Sequence, residues 1–158
     1  MSETSVRAFF AEHAPDVAII DQGVSTATVM DAAAALGVEP ARIAKTLSLR
    51  VGERVVLVCA RGDARLSNGK AKAALGAKPR MLGTEEVEAI TGHPVGGVCP
   101  FGLPAPLPVY CDISLKAFPT VFPAAGSRTA SVELTPERLA ALTGAAWVDI
   151  CTLPDATE

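Results

Sequence analysis

Residues 45–60 read K-T-L-S-L-R-V-G-E-R-V-V-L-V-C-A, and the two halves carry the pattern of a β-hairpin. Leu47, Leu49 and Val51 alternate with Ser48 and Arg50, the period-two signature of a half-buried strand. Gly52 and Glu53 make a tight link, and residues 54–60 return as a second, almost wholly apolar strand. Lys45 shares the parity of the leucines. Side chains alternate across a strand, so this lysine is directed to the buried side. An unpaired ammonium is costly there. Two arrangements remain open: a strand-end lysine that snorkels to water, or a lysine at the mouth of a pocket, placed to meet an anion or a developing negative charge.

Working outward from the hairpin, residues 5–13 read as a helix with Val6, Phe9 and Phe10 inward, and residues 17–20 as a strand. Thr26 or Thr28 caps a helix running to Leu36, closed by Gly37. Downstream, Ser67 or Asn68 caps a helix that ends at Gly76, and residues 79–82 are strand-like. Thr84 caps the next helix, with Glu85 and Glu86 in the first turn where the dipole favours acids. Residues 109–113, 120–122, 131–134 and 147–150 read as strands, and Pro136 opens a last helix closed by Gly144. Helices interspersed with hairpins predict a single α+β domain over residues 1–158, built around a mixed, curved sheet.

Residues 92–108, G-H-P-V-G-G-V-C-P-F-G-L-P-A-P-L-P, are too rich in glycine and proline for a helix or a central strand. Yet Val95, Val98, Cys99, Phe101 and Leu103 are not the residues of a solvated linker. A rigid, partly buried loop that presents backbone amides to a ligand fits this composition. So does a purely structural crossover between two strands.

Composition narrows the function. The chain has 158 residues, enough for a core without staples, and its low aromatic content of 4% makes Ala, Val and Leu the packing residues. No apolar run approaches the ~18 residues of a membrane span, and the N-terminus lacks the order of a secretion signal, so a soluble, cytoplasmic protein is expected. Cys59, Cys99, Cys111 and Cys151 form no C-x-x-C pair, and His13 and His93 lie at no ligand spacing, so no metal is expected. Four reduced thiols suit a reducing compartment. A net charge of −3 argues against a general nucleic-acid binder. Between residues 60 and 80, however, Arg61, Arg65, Lys70, Lys72, Lys78 and Arg80 face only one acid, Asp63. That segment is either a solvated helix face or a local phosphate-contacting patch.

Several motifs together resemble one family. They are I-A-K-T-L before an alternating strand, G-A-K before a T-E-E-V helix, T-G-H-P-V-G-G-V-C-P-F-G-L, the aspartate of V-Y-C-D, and G-S-R-T-A-S-V-E-L. In order and spacing, from about residue 17 to 150, they look like the YbaK/EbsC group of trans-editing aminoacyl-tRNA deacylases, related to the insertion domain of prolyl-tRNA synthetase. The resemblance implies a barrel-like sheet surrounded by helices, and hydrolysis of the ester joining a wrong amino acid to tRNA, without cofactor. It puts the family's lysine on Lys45 and its G-x-x-x-P loop on Gly96-Gly97-Val98-Cys99-Pro100. Lys45 and Gly97 are then the catalytic positions, Lys45 holding the acceptor-end phosphate or supporting the oxyanion. The amino-acid pocket is expected from Ile20, Thr28, Thr46, Gly96, Val98, Cys99, Pro100, Phe101 and Ser131. Lys70, Lys72 and Arg128 are expected on the tRNA. The implied partners are the acceptor end of a mischarged tRNA, with tRNA-Pro one candidate, and an aminoacyl-tRNA synthetase.

The ester is activated, so positioning, polarisation of the carbonyl and admission of water are the main requirements. No general base is evident, and a water assisted by the terminal ribose hydroxyl is the expected nucleophile. Where the cysteine-specific branch has aromatic residues, this chain has Ile19 or Ile20 and Thr28; where the alanine-specific branch has asparagine after its lysine, it has Thr46. The substrate is thereby left open among small side chains, Ala, Ser, Thr or Cys, with Ala, Ser and Thr ahead of Cys. Cys99 with His93 as base is a weaker alternative, since no third orienting group is evident. Asp112 pins the loop or is a solvated strand-end acid. A tRNA-end or nucleotide-binding module without turnover is the rival to an enzyme.

Overall fold

The computed structural model describes residues 2–154. Helix α1 (Ser2–His13) buries Val6 and Phe10 and is followed by a short strand, β1 (Ile20–Asp21). Thr28 caps α2 (Val29–Leu36): its hydroxyl accepts from the Asp31 amide at 3.0 Å, and Gly37 closes the helix at φ 69°. A 3-10 turn at Pro40–Arg42 delivers the chain into the hairpin, β2 (Ile43–Val51) and β3 (Arg54–Arg61), paired from Ala44–Arg61 to Val51–Arg54. After β4 (Arg65–Leu66) come α3 (Asn68–Leu75), β5 (Arg80–Met81) and α4 (Thr84–Thr91). The glycine- and proline-rich loop then leads to β6 (Val109–Asp112), a 3-10 turn at Ile113–Ala117, β7 (Phe122–Pro123) and β8 (Ala130–Ser131). The chain finishes with α5 (Pro136–Thr143), β9 (Ala146–Val148) and β10 (Cys151–Thr152).

The main sheet runs β5-β2-β3-β6-β9, with β7 beside β2. Its hairpin and β2–β5 pairings are antiparallel, while β3–β6, β6–β9 and β2–β7 are parallel. The mixed α+β architecture is as expected. The barrel is not: the sheet ends at β5 and β9 without closing, and β1–β8 and β4–β10 stand as separate pairs. Several boundaries also move. The N-cap of α4 is Gly83, without a side-chain bond, and Thr84 is inside the helix. The outer strands are shorter than their apolar runs: Val121 makes only an isolated bridge to Leu134, and β4, two residues long, carries no periodicity to find it by.

Because β3 is central, both of its faces are buried, as its unbroken apolar run requires. Leu57 and Cys59 pack with Val6, Phe10, Phe101 and Leu139 on one side. Val56, Val58 and Ala60 pack with Leu49, Val51, Ala71 and Leu75 on the other. A smaller cluster, Ala32, Ala33, Ile43 and Phe122, joins α2 to the start of β2. The four cysteines are free and buried.

Candidate active site

β2 is paired with β3 from Ala44 to Val51 along one edge but only partly covered along the other. There β7 occupies Ile43 and Ala44, and β5 occupies Leu49 and Arg50. In an antiparallel ladder, backbone groups of alternate residues point to alternate edges. Ser48 directs its carbonyl to the outer edge, where it accepts from Leu82 N at 3.0 Å. Thr46 has the same parity, so its N–H and C=O also face outward, into the gap between β7 and β5. No strand among the described residues pairs with it there.

A cavity of about 140 Å³ lies beside this gap, and Thr46 is in its wall. Its floor is Ala32, Ile43 and Phe122, three members of the α2–β2 cluster, with Val29, Val98 and Ala124 adding apolar wall. Polar character comes from Thr26, Thr28, Lys45, Thr46 and Ser131, and no Asp, Glu or His lines the cavity among the described residues. The opposite wall is made of three segments stitched together. Thr26 N donates to Arg128 O at 2.6 Å, Arg128 Nε donates to Val95 O at 2.8 Å, and Gly126 N donates to Gly97 O at 3.1 Å. Gly96, at φ 95°, lies so close to Ala27 that a β-carbon would stand 2.9 Å from the Ala27 methyl. This position therefore demands glycine on two counts, backbone angle and space.

The structure thus brings together Lys45, Thr46, Thr28, Gly96, Val98 and Ser131. It does not bring in the other expected residues. Ile20 pairs with Ser131 across β1–β8, and it packs outside the cavity. The Gly97 amide, expected to face the substrate, instead donates to Pro94 O at 2.9 Å within the loop. Phe101 is buried in an aromatic group with Phe9 and Phe10, and Pro100 faces the groove beside Phe9. Cys99 is fully buried, 3.5 Å from His93 Nε2, which itself lies 2.7 Å from Phe101 O. Burial pushes the Cys99 thiol up to about 12 and lowers the His93 pKa. That pair is a buried contact outside the cavity lining, unlike an activated thiolate.

Lys45 lies on the face predicted for it, half-buried, and its Nζ donates to the Ala64 carbonyl. Burial lowers its pKa, while Cys151 and Asp63 act in the opposite direction. Its ammonium is therefore turned toward the start of the basic segment rather than toward Thr46. In that segment Arg61 is held by Asp63 at 2.6 Å, and Lys70 reaches Asp149 at 3.1 Å. Lys72 is exposed on α3, and Arg128 is exposed at the cavity rim. Asp112 does not pin the glycine-rich loop. Its carboxylate is buried and accepts from Ser114 N at 2.9 Å and Ile150 N at 2.8 Å. Phe122 and Ala124 escaped the sequence reading because apolar residues in a V-F-P-A-A-G run carry no chemical signal.

A family model described as an aminoacyl-tRNA editing domain matches residues 24–142, a span that holds every residue of the cavity. The chain belongs to that family. Within it, the editing domain is 34% identical over 123 residues to EbsC of Enterococcus faecalis, named as a candidate Cys-tRNA(Pro)/Cys-tRNA(Cys) deacylase, covering 76% of this chain and 74% of EbsC. This places it in the YbaK/EbsC group. It is 46% identical over 153 residues to the uncharacterized protein YwhH of Bacillus subtilis, covering 96% and 98% of the two chains. Against the proline–tRNA ligase of Bacillus licheniformis it is 35% identical over 94 residues, 59% of this chain and 16% of the ligase. A solved structure described as a candidate trans-editing enzyme for prolyl-tRNA synthetase superposes with a TM-score of 0.88 at 34% identity, over 96% of this chain and 97% of that one. Among the described residues no helix is long and apolar enough to cross a membrane, and no group of His, Cys, Asp and Glu could hold a metal ion.

Proposed function

We propose that this editing domain hydrolyses the ester of a tRNA charged with a small amino acid, in the cavity at the open edge of β2. The observation that carries the reading is the outer edge of Thr46, which no strand among the described residues pairs, beside an apolar floor. A 140 Å³ space matches the ~150 Å³ of cavities that accept benzene, a six-atom ligand. An alanyl or seryl ester end is of that size. The side chain rests on Ala32, Ile43 and Phe122, and the ester carbonyl lies toward the Thr46 N–H, which donates to its oxygen as negative charge develops. The Gly96–Val98 wall fixes the ester against this donor.

Water attacks the carbonyl carbon, the tetrahedral intermediate collapses, and the ribose oxygen leaves with a proton. With no Asp, Glu or His in the lining among the described residues, the neighbouring ribose hydroxyl is the group that assists the water. Lys45 exchanges its neutral acceptor, Ala64 O, for the acceptor-end phosphate, while Arg128 at the rim and Lys72 on α3 meet further phosphates. A tRNA-Pro carrier, and a synthetase that delivers it, are supported by the names of EbsC and of the proline–tRNA ligase relatives.

A module that holds the aminoacyl end without turnover is the second reading, favoured by the engagement of Lys45 with Ala64 O. A deacylation panel decides between them. The purified protein should hydrolyse tRNA-Pro charged with Ala and Ser, and Cys and Thr within the same size limit. Binding of these tRNAs with no acceleration over the spontaneous rate would establish the second reading.

A further inference from the structure

We infer that Thr26 receives the α-ammonium of the bound aminoacyl group, an assignment that rests on the deacylase reading above. Thr26 lines the cavity and is 6% exposed, and its Oγ1 is buried without a hydrogen-bond partner among the described residues. Buried hydroxyls in folded proteins are nearly always paired, so an orphan calls for a reason such as a missing ligand atom. The other cavity threonines are differently placed. Thr28 Oγ1 accepts from the Asp31 amide at 3.0 Å, and Thr46 Oγ1 lies 3.6 Å from Cys59 Sγ.

The chemistry of an aminoacyl ester completes the assignment. Its small side chain suits the apolar floor, and its carbonyl suits the outward N–H of Thr46. The α-ammonium is the remaining polar group and needs an oxygen acceptor. No carboxylate lines the cavity among the described residues, so that acceptor is neutral. Rotation about the Thr26 Cα–Cβ bond trades methyl for hydroxyl at the wall between staggered positions. The backbone need not move, being fixed by the Thr26 N–H bond to Arg128 O. The resulting bond is charge-assisted and therefore among the stronger ones.

Thr26→Val and Thr26→Ser test the assignment. Valine keeps the shape and deletes the orphan oxygen. It should raise the melting temperature of the free protein by about 2–4 °C, yet lower kcat/KM at least roughly tenfold on alanyl- and seryl-tRNA alike. The loss should be smaller on lactyl-tRNA, where a hydroxyl replaces the ammonium. Serine should restore most of the activity. If the wild type hydrolyses no aminoacyl-tRNA, the deacylase reading fails and this inference with it. If the wild type is active and Thr26→Val is equally active, only the Thr26 assignment falls. A loss on seryl-tRNA alone would reassign Thr26 to the substrate side chain and overturn the ammonium contact. A variant that melts lower and loses activity equally on every substrate, lactyl-tRNA included, would show that the hydroxyl is structural.

Discussion

Gly97 lies so close to Ser127 that a β-carbon on it would stand 2.8 Å from the Ser127 backbone nitrogen, carbonyl carbon and oxygen. Backbone atoms cannot step aside as a flexible side chain can. The bond from Gly126 N to Gly97 O ties the same two segments. Gly97 is thus required for the seating of the cavity wall rather than for a φ only glycine adopts.

Gly97→Ala should therefore lower deacylation about 100-fold by displacing Gly96 and Val98, since misplacement of about 1 Å has that effect. Overpacking should also cost about 1–3 kcal/mol of stability. Cys99→Ser and Cys99→Ala should keep activity within a few-fold of the wild type, because Cys99 does not line the cavity and its thiol is held protonated. Single-turnover rates and melting curves on the three variants check this. Cys99 essential and Gly97 tolerant would move the chemistry to a thiol nucleophile.

Lys45→Ala should lower kcat/KM on aminoacyl-tRNA by roughly 10–100-fold, the effect of losing a charge-assisted contact to the acceptor-end phosphate. Lys45→Met, which keeps the aliphatic stem along β2, should melt near the wild type while losing the same activity. Activity within a few-fold of the wild type in both variants would assign Lys45 to holding Ala64 alone.

How much of this was legible in the sequence differs by element. The hairpin and the face of Lys45 follow from alternation, and α2, α3 and α5 from their caps and closing glycines. The cavity is another matter. It exists because β7 and β5, each two residues long, leave a gap on the edge of β2, and strands that short carry no period. The need for glycine at position 97 was visible, but its cause, Ser127, is remote in the chain. Cys99 and Phe101 belong to the motif yet pack inward, because an apolar loop residue reads alike whether it faces a ligand or a core.

His93 should make stability fall on mild acidification. Burial lowers its folded pKa below the ordinary 6.5, and the hydrogen bond to Phe101 O only partly offsets that. Below about 6.5 the unfolded chain binds a proton that the folded chain does not. Stability is therefore full above that pH and declines as pH drops toward the folded pKa, by at most ~1.4 kcal/mol per pH unit. Denaturant melts between pH 7 and 5 should show this slope in the wild type and a flatter one in His93→Gln. Equal slopes would place the proton uptake elsewhere.

Lys72→Glu should weaken tRNA binding and flatten its salt dependence, with little change in cleavage of a minimal aminoacyl ester lacking the tRNA body. Lys70→Glu should act less cleanly, because it also sets two acids together at Asp149. Filter binding over a salt series reads both. Equal losses on the tRNA and on the minimal ester would show that these charges support the pocket instead.

The most direct test of the cavity as the reaction site is to fill it. Ala32 is buried in its floor, and Ala32→Leu adds three carbon atoms to a space of about 140 Å³ while remaining a good helix residue in α2. Single-turnover hydrolysis of alanyl-tRNA should fall by about 100-fold or more, with tRNA affinity and melting temperature near those of the wild type. Wild-type rates in the folded Ala32→Leu protein would contradict the account and place the chemistry elsewhere on the domain.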